Sequence, residues 1–120
     1  MSEAVLETRE GRVVTLTLNR PETRNALSRD VVEGLVGGLE RAQADPGVSV
    51  VVVAANGKSF SSGGNLNEIK AMTTTDGMRE PQIEEWYRSG IQRIPRTMAA
   101  VDVVTVAAVQ GHAVGAGCDL

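Results

Sequence analysis

Two runs of β-branched and small apolar residues constrain this chain more than any other feature. Residues 48–55 are apolar except for Ser49, and residues 101–109 are apolar except for Asp102 and Thr105. A strand without polar alternation reads as buried on both faces, as parallel strands are in layered α/β proteins. Each run is followed by a glycine-rich loop and then by a helix start. The first leads from Val50-Val51-Val52-Val53 to Phe60-Ser61-Ser62-Gly63-Gly64-Asn65-Leu66, the second from Val103-Val104-Thr105-Val106 to the segment between Gly111 and Asp119. Seventeen valines and thirteen alanines stand against three aromatics, Phe60, Trp86 and Tyr87, so the apolar content suits close-packed strands and helices.

The remaining segments supply cover for these strands. Residues 5–8 and 13–18 read as a hairpin about Glu10-Gly11-Arg12, with Val14, Leu16 and Leu18 on the greasier face of the second strand. Asn19-Arg20-Pro21-Glu22 breaks that strand, since proline cannot continue a ladder. Over residues 28–44 the spacing of Val32, Leu35, Val36 and Leu39 predicts a helix with Ser28 as N-cap, stopped by Asp45-Pro46-Gly47. Gly37-Gly38 inside it costs on the order of 1 kcal/mol per residue, which calls for a close packing contact in return. Residues 56–65 read as a loop, 66–72 as a short helix and 73–77 as a polar, mobile connection. A second long helix is expected over 79–99, striped by Ile83, Tyr87, Ile91, Ile94 and Met98, with Trp86 and Tyr87 in the core and a kink or break at Pro95. From Gly115 onward the chain reads as the first turn of another helix. Two helices and a hairpin barely cover two doubly buried strands, so the chain reads as a fragment, or as one that finishes its core with another chain.

Several function classes are excluded at this stage. Twelve basic against fifteen acidic residues, a net charge of −3 and no basic block leave no footprint for nucleic acid, and three aromatics make no stacking platform. One cysteine and one histidine rule out an internal disulfide and the usual zinc constellations; Cys118 reads as a small buried hydrophobe and His112 as a loop residue. With no signal-like start and no stretch near ~20 apolar residues, a cytoplasmic protein without membrane contact is expected. Gly115-Ala116-Gly117 is not a dinucleotide turn, because the third glycine would fall at Leu120, and the lysine of a phosphate loop is missing too.

Glycines after a strand let a backbone approach a ligand, and a helix start aims unpaired N–H groups at it. Two such loops at one end of a sheet can each offer an N–H to a single oxygen. That arrangement is an oxyanion hole, in which loss of one donor costs roughly 3–4 kcal/mol of transition-state stabilisation. Packing alone also accounts for glycine turns, and the residues by themselves leave both readings open.

Three spaced segments carry a further signal. Leu18-Asn19-Arg20-Pro21 with Asn25-Ala26-Leu27, then residues 60–66, then Ala107-Ala108-Val109-Gln110-Gly111 through Gly115-Ala116-Gly117-Cys118-Asp119-Leu120 resemble successive signatures of the enoyl-CoA hydratase/isomerase (crotonase) family. The resemblance runs over essentially the whole chain. It implies an α/β fold, a crotonase-like spiral of repeated ββα units, incomplete here. Residues 1–120 would be the N-terminal part of a single core domain, without its C-terminal half and assembly helices. It further implies an acyl-CoA thioester as substrate, no separate cofactor or metal, and a homo-oligomeric parent, trimer or hexamer.

Residue by residue, the resemblance makes the backbone N–H groups of Gly64 and Ala116 the two oxyanion donors. Alanine keeps the N–H at a place where the family has glycine. Asn65 and Ser62 stand where the family often has aspartate and alanine. Arg24, Ala26, Ser62, Gly63, Asn65 and Leu66 fall where the family holds coenzyme A. Asp119 matches a glutamate that, with a second glutamate further on, activates water. Aspartate is shorter by ~1.5 Å, a displacement able to cost about 10²-fold in rate. The implied reaction is addition of water to a trans-2-enoyl-CoA in fatty-acid or related acyl-CoA metabolism. The alternatives are double-bond isomerisation, which needs one base, and a non-catalytic piece that needs other chains to complete its core.

Overall fold

A computed structural model describes residues 3–74 and 77–120. Within them the order ββα recurs three times. The first unit is β1 (Val5–Glu10), β2 (Val13–Leu18) and α1 (Arg29–Ala44), and the second begins β3 (Val50–Ala55), β4 (Ser59–Ser61) and α2 (Leu66–Thr74). Helices α3 (Glu80–Ser89) and α4 (Arg93–Ala100) lead to the third, β5 (Val104–Ala107), β6 (His112–Ala113) and α5 (Ala116–Asp119). Of the connection expected at 73–77, Thr75 and Asp76 lie outside the described residues, and α2 runs on through Thr74. No helix among the described residues is long and apolar enough to cross a membrane.

The main sheet has the order β1-β2-β3-β5, and β4 with β6 forms a second, two-stranded sheet. The hairpin pairs Val5 with Leu18 and Glu10 with Val13, and its turn begins at Gly11 with φ 62°. β2, β3 and β5 then run parallel, with Leu16 opposite Val53 and Val53 opposite Ala107. Helix α1 covers this sheet, burying Val31, Val32, Leu35, Val36 and Leu39 in one core with Leu16, Leu18, Val51 and Val53. Each such side chain contributes about 1.5–3 kcal/mol of burial, an upper bound against a fully extended unfolded chain.

The helical glycines divide into two kinds. A methyl on Gly38 would lie 2.6 Å and 2.9 Å from the two Leu16 methyl carbons, so α1 approaches β2 more closely than alanine permits. Gly37 faces only the flexible end of Arg41, 3.2 Å away. Gly37→Ala is therefore expected to raise stability by about 0.5–1 kcal/mol through helix propensity. Gly38→Ala is expected to lower it, because overpacking of roughly 1–3 kcal/mol outweighs that gain. Urea unfolding of the two variants checks the opposite signs.

Ser28 does stand at the N-cap of α1, but its hydroxyl caps no N–H; it donates to Asp30 Oδ1, which in turn accepts the Val31 N–H at 3.0 Å. The Ser28 hydroxyl, then the Val31 N–H and Arg20, hold the Asp30 carboxyl below the usual carboxylate range despite partial burial.

Four expectations need correction. Residues 101–109 are not a strand buried on both faces: only 104–107 pair, at the sheet edge, and Val104, Val106 and Val109 are 59%, 47% and 54% exposed. A run of valines specifies extended backbone, while cover depends on what packs over it. In β3, Val51 and Val53 are buried beneath α1, and Val50 and Val52 on the opposite face are half-buried. The long helix over 79–99 is two helices, broken at Gly90 (φ −112°, ψ −111°) rather than at Pro95. Pro95 falls in the first turn of α4, where an N–H has no intrahelical acceptor and none is lost. Trp86 and Tyr87 pack edge to face, with ring centroids 5.2 Å apart, on a helix that buries no residue; they are half-buried rather than core.

Candidate functional site

The two glycine loops meet because β4 and β6 pair. The stretch expected to be a loop from 56 to 65 contains β4, which runs parallel to β6 with Ser59 opposite His112 and Ser61 opposite Ala113. Beyond the pair, Val114 N–H donates to the Ser61 carbonyl at 3.0 Å. Two glycines permit this approach. Gly111 lies against the Lys58 carbonyl and Gly117 against the Ser61 carbonyl, so closely that neither place holds a Cβ. Gly63 has φ 91°, and a methyl there would sit 2.9 Å from the Val114 carbonyl oxygen and 3.1 Å from Ala116 N.

Hydrogen bonds fix where the two candidate donors point. Leu27 N–H donates to the Gly63 carbonyl at 2.6 Å. The Gly63–Gly64 peptide is trans, so the Gly64 N–H on the same plane points away from Leu27. The Gly115 carbonyl accepts Cys118 N–H at 3.0 Å, along the axis of α5. Ala116 N–H, on that same peptide, therefore projects from the N-terminal end of α5, where it has no intrahelical partner.

Two cavities flank this junction. An open groove of about 580 Å³ is lined by Arg24, Ala26, Ser62, Gly64, Asn65 and Leu66 among others, so it gathers five of the six residues assigned to coenzyme A together with one candidate donor. Gly63 lies behind the groove, against the second loop. Arg24 is exposed and left-handed (φ 55°), and Leu66 is 79% exposed. Ser62 N–H donates to the Arg24 carbonyl at 3.0 Å, and Asn65 Oδ1 accepts Glu68 N–H at the start of α2. On the other side, a cavity of about 190 Å³ is lined by Leu27, Ile91, Ile94, Met98, Ala116 and Asp119 among others.

The structure thus places Gly64 and Ala116 at the same junction and Asp119 on the apolar side of it. Asp119 is exposed. Cys118 is also exposed, contrary to its reading as a buried hydrophobe, because α5 turns it away from the face that carries Gly117. His112 belongs to β6 and faces solvent.

Sequence reasoning missed two residues behind the loops. Asn25 and Ser61 are fully buried polar side chains. Asn25 Oδ1 accepts the Arg20 N–H at 2.8 Å, and its Nδ2 donates to the carbonyls of Asn56 and Ser59 at 2.9 Å and 3.0 Å. Ser61 Oγ donates to the Asn25 carbonyl at 2.8 Å and accepts the Gly63 N–H at 3.2 Å. Gln110 Nε2 adds donations to the Gly57 and Ser59 carbonyls. The available signal was a polar residue inside each apolar or glycine-rich motif, where burial demands partners.

Comparison with known proteins bears on this arrangement. The enoyl-CoA hydratase/isomerase family model matches residues 8–120. Over 120 residues the chain is 37% identical to the 2,3-dehydroadipyl-CoA hydratase of Escherichia coli K12, covering all of this chain and 43% of that protein. It is 36% identical over 114 residues to the carboxymethylproline synthase of Pectobacterium carotovorum, covering 94% of this chain and 43% of the other. The crystal structure of an enoyl-CoA hydratase from Mycobacterium marinum superposes with a TM-score of 0.80 at 31% identity, over 95% of this chain and 51% of the other. The chain spans less than half the length of these curated relatives.

Proposed function

This chain belongs to the enoyl-CoA hydratase/isomerase family, its fold is the crotonase fold of its structural neighbours, and on that footing we propose that its parent protein adds water to a trans-2-enoyl-CoA. The observation that carries the reading is the junction of Gly64 and Ala116, two peptide N–H groups on loops held in contact between an open groove and an apolar cavity. In this reading coenzyme A lies in the groove, with Arg24 toward its phosphates and Ala26, Ser62, Asn65 and Leu66 along it, while Gly63 shapes the loop from behind. The acyl chain enters the cavity beside Ile94 and Met98. The thioester oxygen accepts both N–H groups, which stabilise the negative charge that develops there as the β-carbon is attacked. Asp119 handles the proton.

The runner-up is double-bond isomerisation, in which Asp119, the one side-chain carboxylate lining the cavity among the described residues, would act as the sole base. The exposed edge of β5 supports the third reading, a chain that is inactive until other chain segments complete its core.

A turnover assay separates these. Crotonyl-CoA is followed by loss of its conjugated enoyl absorbance, and a 3-enoyl-CoA by its gain. Hydration predicts loss with the first; isomerisation predicts gain with the second. Asp119→Asn is expected to lower either rate by about 10²-fold or more while coenzyme A affinity stays unchanged, within the span of a lost general acid or base. Intact turnover in that variant removes Asp119 from the mechanism.

A further inference from the structure

The residues that orient the two loops are distinct from those that present N–H groups, and Ser61 connects with both loops. Its hydroxyl bridges the Asn25 carbonyl and the Gly63 N–H, at 2.8 Å and 3.2 Å. Its carbonyl accepts Val114 N–H at 3.0 Å and rests against Gly117. The first pair of bonds sets the Ser62–Gly63 peptide, which carries the Gly63 N–H, while Leu27 holds the next peptide, Gly63–Gly64, through the Gly63 carbonyl. The second pair of contacts sets the height of β6 and the start of α5. We propose that Ser61 is a positioning residue: it holds the Gly64 and Ala116 N–H groups in register with one oxygen without touching substrate. The proposal rests on the functional reading above.

Its supports are themselves anchored. Asn25, whose carbonyl accepts the hydrogen bond from the Ser61 hydroxyl, is left-handed at φ 52° and held by three side-chain bonds. Ser61 is fully buried, so its hydroxyl has no water to replace either partner. Removing the oxygen frees the Gly63 N–H and loosens the Ser62–Gly63 peptide, so the Gly64 N–H one peptide further on is held on one side only, by Leu27 through the Gly63 carbonyl, although no donor is deleted. Misplacement of a donor by ~1 Å is enough to cost about 10²-fold.

The test uses the full-length parent protein, its Ser61→Ala and Ser61→Cys variants, coenzyme A, and acetoacetyl-CoA, a β-keto thioester whose enolate absorbs separately from the ketone. Ser61→Ala is expected to bind coenzyme A as the unaltered parent does. It should bind acetoacetyl-CoA about 10- to 100-fold more weakly, with a matching loss of the enolate band. Ser61→Cys keeps a weak donor and should fall between. Amide exchange at Gly63 is expected to quicken in Ser61→Ala while the α1 amides hold, which separates a loosened loop from a loosened fold. Equal loss of both ligands overturns the proposal, as does unchanged enolate with unchanged Gly63 exchange. If the unaltered parent binds coenzyme A yet shows no enolate band, the functional reading fails instead. Gly63 exchange in Ser61→Ala then decides whether Ser61 holds the loop.

Discussion

Ala116→Pro is expected to lower thioester turnover by about 10²–10³-fold with little change in stability, because it deletes one N–H and almost nothing else. Ala116 is the first residue of α5, the helical position where proline is best tolerated and where the N–H has no intrahelical acceptor. The preceding residue, Gly115, has φ 57° and ψ −131°, with open space around it, so it has no Cβ to meet the proline ring. The groove proposed for coenzyme A includes Gly64 and not Ala116, so affinity for coenzyme A is expected to survive. Steady-state kinetics with coenzyme A binding and urea unfolding alongside give the three readouts. Turnover that persists in a folded Ala116→Pro protein removes that N–H from the mechanism.

Gly63→Ala is expected to cost stability instead, by roughly 2–5 kcal/mol. Two terms add: a left-handed backbone of φ 91° costs an alanine about 1–2 kcal/mol, and the new methyl would press on the Val114 carbonyl at 2.9 Å, an overpacking of about 1–3 kcal/mol. Against a typical total of about 5–15 kcal/mol this is a large fraction. Gly115→Ala is the control, since its φ is also positive but nothing lies within 4 Å of the added methyl; it should show the backbone term alone. Urea unfolding of both decides the matter. Equal losses would mean that the two loops do not touch at Gly63.

Helix α1 was legible from sequence to within a residue because an apolar period of 3.6, a polar start and Asp45-Pro46-Gly47 all agree there. The hairpin was legible for the same reason, with alternation and a glycine turn pointing to one answer. β5 was not, because valine reports strand preference and says nothing of whether a strand is central or at an edge. The break in the long helix was misplaced from Gly90 to Pro95, since a proline disturbs a helix only beyond its first turn. For the site, the family resemblance named Gly64 and Ala116. What draws them together is the β4–β6 pairing, and no local pattern encodes a contact of that separation. Asn25 and Ser61 escaped notice because their roles exist only once burial removes water from them.

That pairing also sets an order of events. Ser61 and Ala113 are neighbours in space but lie roughly fifty residues apart in the chain, and closing such a loop costs entropy before any contact returns it. The hairpin and α1 involve short separations and form without it. The donor junction is therefore expected to be a late product of folding, formed together with the β3–β5 pairing, which spans a similar separation. Substitutions there should speed unfolding far more than they slow folding.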